Sequence, residues 1–434
     1  MYTLLRYLIL FSVCLLLTGC VTGAHIARTK QTPSLTTPIE PLIPFSNSIQ
    51  QVKKVALLLP LQGTLGNAGQ AVRDGFITAY NSDNSANKPK LMVIDASSGS
   101  IQDAYNKAIQ ADADIVVGPL LKNNVQTLIQ ADLISVPTLT LNYLDNNTQT
   151  PSKLYQFGLS PLDEARQATA LARQNGGQNA VIIAPHDNWG QMLAHAYQDE
   201  WQALGGNIVN KLYFSNASGE LNQQIRTLVN VNKQKFDVIL LAASPQMARQ
   251  IKPLLKFYNA GSVPVYATSL IYTGTPQPAF DNDLNGITFC DTPWTLTNDS
   301  VTNKLRQQIS LFWAANFKQN ARLYALGIDA YHLIKNLPQL TNQQTISGAT
   351  GNLFLNNQHR IVRQLTCAKF NNGIPRLLNT DSVDNTDTDN TANIDTSNDL
   401  SSKDTNSDSE ATAIQPNNNT DSTADTINND DDAQ

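Results

Sequence analysis

The chain has little cysteine, little histidine and little charge: four Cys, five His and 15% charged residues in a length of 434. The histidines, His25, His186, His195, His332 and His359, are scattered. None forms H-E-x-x-H or a Cys/His cluster, which excludes the familiar zinc sites, and no cofactor or metal is called for. There is no G-x-S-x-G, so the strand-to-helix nucleophile elbow is excluded as well. After the N-terminal run no segment reaches ~18 apolar residues, and nothing later reads as a spanning helix.

What is present begins with a leader. Arg6 precedes an apolar run from Tyr7 to Leu17, too short for a comfortable span, and Leu17-Thr18-Gly19-Cys20 closes it. That ending resembles the lipobox of bacterial lipoproteins. Residues 1–19 then form a signal peptide, and Cys20 becomes a lipidated N-terminus; the alternative is an ordinary signal peptide that happens to hold Cys20. Each acyl methylene buried in the membrane is worth ~0.8 kcal/mol, and more than one chain makes such an anchor stable. Val21, in place of Asp, is similar to lipoproteins sorted to the outer membrane and facing the periplasm. Cys14 leaves with the leader and Cys20 carries lipid, so Cys290 and Cys367 remain in an oxidising compartment. Both sit in apolar, strand-like contexts, and two separate buried thiols are the preferred reading over a disulfide.

The two ends of the mature chain differ from its body. Residues 20–51 comprise the lipidated Cys and a Pro- and Ser/Thr-rich tether that spans at most ~100 Å when extended. Residues 379–434 hold thirteen Asp, one Glu and one Lys with no aromatic residue, and read as a disordered acidic tail. A calcium loop starting at Asp387 fails because position 6 is Ala392 and position 12 is Asn398. Removing the tail and Arg6 leaves 28 Lys+Arg against 21 Asp+Glu, a body of +7 inside a chain of −5.

From Val52 to Leu378 the pattern alternates. Val55 to Pro60 is apolar without alternation, as a strand buried on both faces should be. Further strand-like runs, Leu91–Ile94, Ile115–Val117, Thr138–Leu141, Val181–Ala184, Ile208–Tyr213, Val238–Leu241 and Val265–Ala267, are mostly separated by helical spacing. This is an α/β pattern with parallel sheets covered on both faces. Lys153 to Gly158 interrupts the rhythm, so the body divides into two doubly wound, Rossmann-like lobes. The first takes about 52–155 plus 290–338, the second about 156–289 plus 339–378. Gly351–Leu355 and Arg360–Phe370 read as two antiparallel strands joined around Asn356-Asn357.

Two such lobes on a lipid-anchored chain point to a type I periplasmic-binding-protein-like fold, in which ligands settle beyond the carboxyl ends of the strands. The candidate cleft residues are therefore Gln62, Thr64 and Asn67 after the first strand, Ser97 and Ser98 after the second, and Asn142 and Tyr143 after the fourth. The other lobe adds Asp187, Trp189, Ser244, Thr268 and Ser269. Turn and capping chemistry alone also enriches such loops in these residue types.

Several segments in order resemble the LppC family: VALLLPLQGTLGNAGQAVRDGF (55–76), DIVVGPLLKNNV (114–125), GLSPLDEARQA (158–168), VPVYATSLIY (263–272), DLNGITFCDTPW (283–294), RLYALGIDAY (322–331) and ATGNLFLNNQHRIVRQL (349–365). The resemblance covers Val52 to Phe370. It implies an outer-membrane lipoprotein that activates a class A penicillin-binding protein in peptidoglycan synthesis, through a periplasmic-binding-like domain turned into an interaction module. Long members carry a helical-repeat domain before this region, where the present chain has only its tether.

The expected function is thus non-enzymatic. Ser82-Asp83-Asn84 and Ser85-Ala86-Asn87-Lys88 match S-D-N and S-x-x-K, but they abut in one polar loop and no K-T-G accompanies them. Expected partners are the synthase, the membrane through the N-terminal lipid, and peptidoglycan; nucleic acid is not among them. Pro293 and Trp294, after a strand end, are the candidate partner contact, with Trp294 as a filler between lobes the alternative. A lipid-tethered solute receptor for a small polar ligand is the second function class.

Overall fold

The computed structural model describes residues 52–378 apart from 146–147, 216–218, 233–234, 318–319 and 342–343. The leader, Cys20, the tether to Gln51 and the acidic tail lie outside the described residues. Among the described residues no helix is long and apolar enough to cross a membrane.

The first lobe is a parallel five-stranded sheet in the order β2-β1-β3-β4-β5, built from β1 (Lys54–Leu59), β2 (Lys90–Asp95), β3 (Ile115–Val117), β4 (Thr138–Thr140) and β5 (Leu154–Gln156). Its connections are α1 (Gly66–Ser82), α2 (Ile101–Gln110) and α3 (Lys122–Gln130). The unalternating run of β1 is explained by its two faces: Val55, Leu57 and Leu59 join one apolar cluster with Val72 and Phe76 of α1, while Ala56 and Leu58 join another with Ala104 and Tyr105 of α2.

The second lobe continues with α4 (Pro161–Gln174), β6 (Asn179–Pro185), α5 (Asn188–Ala203), β7 (Asn207–Phe214), α6 (Glu220–Val231), β8 (Val238–Leu241), α7 (Pro245–Phe257), β9 (Val265–Ala267) and β10 (Ile287–Asp291). After β10 the chain returns to the first lobe through a helical turn (Pro293–Leu296), α8 (Ser300–Phe317) and α9 (Ala321–Thr341). Here α9 lies against α1 at backbone distance. A Cβ on Gly327 would stand 2.0 Å from the Val72 carbonyl oxygen, and one on Gly75 would stand 2.1 Å from that of Tyr324. Only glycine fits at such a crossing.

The last stretch departs from the expected division. β11 (Ile346–Ser347), β12 (Asn352–Leu355) and β13 (Ile361–Gln364) form a small antiparallel sheet, and Leu353, Leu355 and Ile361 complete the core of the first lobe. The Arg360–Phe370 run is two strands rather than one. Beyond Leu365 the chain becomes β14 (Thr366–Asn371) and β15 (Ile374–Leu377), which end the second sheet, ordered β15-β14-β10-β9-β8-β6-β7. Residues 346–364 therefore belong with the first lobe and β10, through Asp291, with the second. Lys153–Gly158, expected to interrupt the rhythm, contains the fifth strand of the first sheet.

The antiparallel pairing of β10 with β14 sets Cys290 directly opposite Cys367. The two are joined in a disulfide with Cα atoms 3.9 Å apart. This corrects the preference for separate thiols: one residue of register decides it, and register is not readable from local composition.

Candidate functional site

Both sheets place the predicted cleft residues beyond strand ends, and most of their polar atoms are used locally. After β1 and β2, Asp95 gathers the loop: its carboxylate accepts from Leu61 N (3.0 Å), Gln62 Nε2 (2.8 Å), Ser97 N (2.9 Å) and Ser97 Oγ (2.5 Å), and Ser97 Oγ accepts from Gln62 N (2.8 Å). Gln62 and Ser97 thus meet around a carboxylate the sequence reading passed over. The hydrogen bonds from the Ser97 hydroxyl and the Leu61 amide hold the Asp95 carboxyl down to about 2. Thr64, Asn67 and Ser98 are exposed on the same rim.

Asn142 donates to the Leu120 carbonyl (3.0 Å) and accepts from Tyr143 N (2.9 Å), while the buried Tyr143 hydroxyl donates to the Ile361 carbonyl (2.7 Å). Tyr143 therefore fastens the small sheet to the first lobe. Asp187 and Ser244 are helix N-caps, accepting from Gly190 N at 2.7 Å and Met247 N at 3.4 Å. Each such cap is worth ~1 kcal/mol to its helix, an ample reason for its presence. Trp189 packs, half-buried, on the α4/α5 side of the second sheet.

Thr268 and Ser269 are buried, and Ser269 leads to the principal polar cluster. The chain passes between lobes after β5, after β10 and after β13, and a charged side chain stands at each passage: Glu164 in the first turn of α4, Asp291 at the end of β10, Arg363 in β13. Ser269 Oγ donates to Glu164 Oε2 (2.6 Å), and Arg363 faces the same carboxylate at 3.6 Å. Arg322, in the first turn of α9, grips Asp291 with two nitrogens and also donates to the Ser269 and Tyr272 carbonyls at 2.9 Å. Gln167 clamps the third passage, donating to the Arg363 carbonyl (2.9 Å) and accepting from Leu365 N (2.8 Å). Behind it, buried Asp329 accepts from Ala349 N and Thr350 N, both at 2.7 Å, and from Thr350 Oγ1 at 2.5 Å.

The electrostatics of this cluster divide in two. Burial pushes the Glu164 carboxyl above its ordinary value, and Arg363 only partly offsets it. Burial also opposes the Arg322 charge, but Asp291, with Glu164 and Tyr272 adding to it, holds the guanidinium above its ordinary value. One pair is loosely matched and the other well matched. Chemically the cluster is a clasp, since its donors and acceptors are turned on one another.

The profile described as “LppC putative lipoprotein” matches residues 32–373. The chain belongs to the LppC family. Among the relatives of this LppC chain, a penicillin-binding protein activator LpoA from Photobacterium profundum is 29% identical over 356 residues, covering 75% of this chain and 57% of that protein. The chain thus spans a little over half the length of the curated relatives it matches. Among solved structures, the LpoA C-domain from Haemophilus influenzae, a regulator of PBP1A, is similar with TM-score 0.65 and 28% identity, covering 75% of this chain and 100% of that one. An ABC transporter substrate-binding protein from Sphaerobacter thermophilus, at 14% identity and TM-score 0.56, covers 76% of this chain and 97% of its own and shares the fold.

Within this LppC fold the expected contact at Pro293 and Trp294 needs correction. Trp294 is 1% exposed and belongs to the core of the first lobe; its amide donates to the Ala349 carbonyl at 2.9 Å, and the Arg306 guanidinium lies over its ring at 5.2 Å. Pro293 starts a short helical turn that drives the indole inward, so Trp294 is not an exposed anchor. The residues missed from sequence are Asp95, Glu164, Asp291, Arg322 and Arg363. The available signal was charge at strand ends and first turns, where an apolar-run reading pays charge no attention.

Proposed function

We propose that this LppC-family chain is a lipid-anchored, non-catalytic module that binds a class A penicillin-binding protein from the outer-membrane side of the periplasm and raises its rate of peptidoglycan synthesis. The observation that carries this reading is the match to the whole of the Haemophilus influenzae C-domain described as a regulator of PBP1A. The clasp supports it. A receptor that closes on solute needs lobes that rotate about their connections, whereas each connection here carries a polar contact across the lobes: Arg363 with Glu164, Arg322 with Asp291, and Gln167 with the Arg363 carbonyl. Pinned lobes suit a surface that must keep one shape to be recognised.

Anchoring is assigned to Cys20 in the outer membrane, with palmitate-type acylation. Cys20→Ser should leave the membrane fraction, and unchanged outer-membrane fractionation of that variant would refute the anchor. For the activity, a cognate synthase is supplied with lipid-linked precursor, with and without this protein. Faster glycan polymerisation or crosslinking is expected in the mixture, and no turnover by this protein alone. An unaltered synthase rate despite added protein, or precursor consumed without synthase, removes the proposal.

A further inference from the structure

A pocket of about 300 Å³, at the low end of the size range of small-ligand sites, is lined by none of the predicted cleft residues. It opens between the loop after β9, the strand β15 and the segment that follows β10. Tyr272 and Trp294 are among its lining residues and both are buried, so they form its floor; Pro276 and Ile374 give apolar walls. Two arginines, Arg306 and Arg376, line it, and no acidic residue does.

The two arginines differ in a way that matters. Arg306 is held in place by carbonyls and amides: Nη2 donates to the carbonyls of Trp294 and Thr297 (2.7 Å), and Nη1 to Asn303 Oδ1 (3.0 Å). No carboxylate lies within ion-pair distance of it among the described residues, and burial lowers its pKa from the ordinary value, with Asp299 offsetting part of the shift. Its direct partners are dipoles, and the Asp299 carboxylate acts on it only from beyond ion-pair distance, so the pocket carries two guanidinium groups and no lining carboxylate. Arg376 is exposed on the rim, and its side chain has no hydrogen-bond or ion-pair partner among the described residues. Finally, β15 is the outer strand of its sheet, so one side of its main chain has no strand partner. Pro375 within it limits any added strand to a short one.

We propose that this pocket binds the carboxylate end of a short extended peptide, the chain lying along the free side of β15 and the carboxylate meeting Arg376 in the field of Arg306. Apolar side chains of such a peptide find Pro276 and Ile374, and main-chain pairing with an edge strand favours a peptide over a compact anion. Because the pocket is walled partly by the second lobe and partly by the segment leading into α8, an occupant bridges both. The assignment concerns a ligand and does not depend on the synthase reading.

The test is isothermal titration of the purified full chain with N-acetyl-dialanine, in L,L and D,D forms, against the corresponding C-terminal amides and inorganic phosphate. Saturable binding of one acid is expected, at least about ten-fold weaker for its amide and for the acid on Arg376→Gln, the loss of one charge-assisted contact. Arg376 is exposed and unpaired, so this variant should fold as the parent does; matching far-ultraviolet circular dichroism and melting temperature check that. Absence of saturable binding by both acids, equal binding of acid and amide, or undiminished binding by Arg376→Gln overturns the proposal. Phosphate binding as strong as the acid also overturns it, since that would mark an oxyanion site without peptide recognition.

Discussion

Arg322 and Asp291 join the two lobes through a two-pronged ion pair, Nη2 to Oδ2 at 2.5 Å and Nε to Oδ1 at 2.8 Å. Asp291 is fully buried at the end of β10, and Arg322 opens α9 on the other lobe. Fork-to-fork geometry fixes both distance and plane, so this pair restrains rotation as well as separation.

Removing one partner should therefore cost more than removing both. Arg322→Met leaves the Asp291 carboxylate buried without its counter-charge, and ~3 kcal/mol or more of unfolding free energy should be lost. Pairing that change with Asp291→Asn should recover part of the loss. Urea denaturation of the four members of the cycle gives the coupling; additive losses would show that the pair does not act as a unit.

The disulfide supplies a second test. It closes a loop between residues 77 apart in sequence, for which chain-entropy reasoning gives roughly 2–4 kcal/mol or somewhat more. The Cys290→Ala/Cys367→Ala double variant should unfold at correspondingly lower denaturant. Mass spectrometry after thiol alkylation of the denatured parent should find both positions unmodified, and two alkylated cysteines would show the bond is not formed.

The fate of these cysteines shows what was legible in sequence. Val55–Leu59 and Val238–Leu241 announce themselves as doubly covered strands because every residue is apolar, and the loops that follow them hold the predicted candidates. The break at Leu365 does not announce itself. The buried positions change from odd (Ile361, Arg363, Leu365) to even (Ala368, Phe370) across it, a shift of phase that the mixed run IVRQLTCAKF does not display in its residue types. Likewise Asp187 and Ser244 were visible, but whether they cap a helix or reach a ligand depends on where the side chain points. Arg322 lies in a run that reads as an ordinary helix start, and its partner is a strand end 31 residues earlier.

Acid should expose the Asp95 loop. Its carboxyl titrates at about 2 in the folded chain, below the ~3.9 of an unfolded one, so the folded state favours the charged form. The stabilisation is present above pH ~4 and is lost as pH falls from there towards 2. The loop is largely solvent-exposed, and screening reduces the gain to below about 1 kcal/mol. Asp95→Asn should flatten that part of the stability profile in thermal melts between pH 2 and 5; an unchanged slope would mean that the hydrogen bonds from Gln62 and Ser97 do not persist in solution.

Trp294 gives the sharpest division between a packing role and a docking role. Its indole is closed in by the first-lobe core, its amide is held by Ala349, and Arg306 covers its ring while donating to its carbonyl. An interface anchor is exposed before its partner arrives, and this side chain is not. Trp294→Ala should accordingly cost ~3–5 kcal/mol of folding free energy, because the cavity adds to the lost transfer energy. Trp294→Phe keeps most of the volume and should cost much less. Synthase affinity should then follow stability across the series: the Phe variant, still folded, should bind like the parent. If the Phe variant keeps the parent's unfolding midpoint but loses affinity by ten-fold or more, Trp294 contacts the partner directly and its buried state in the free chain is not the one that binds.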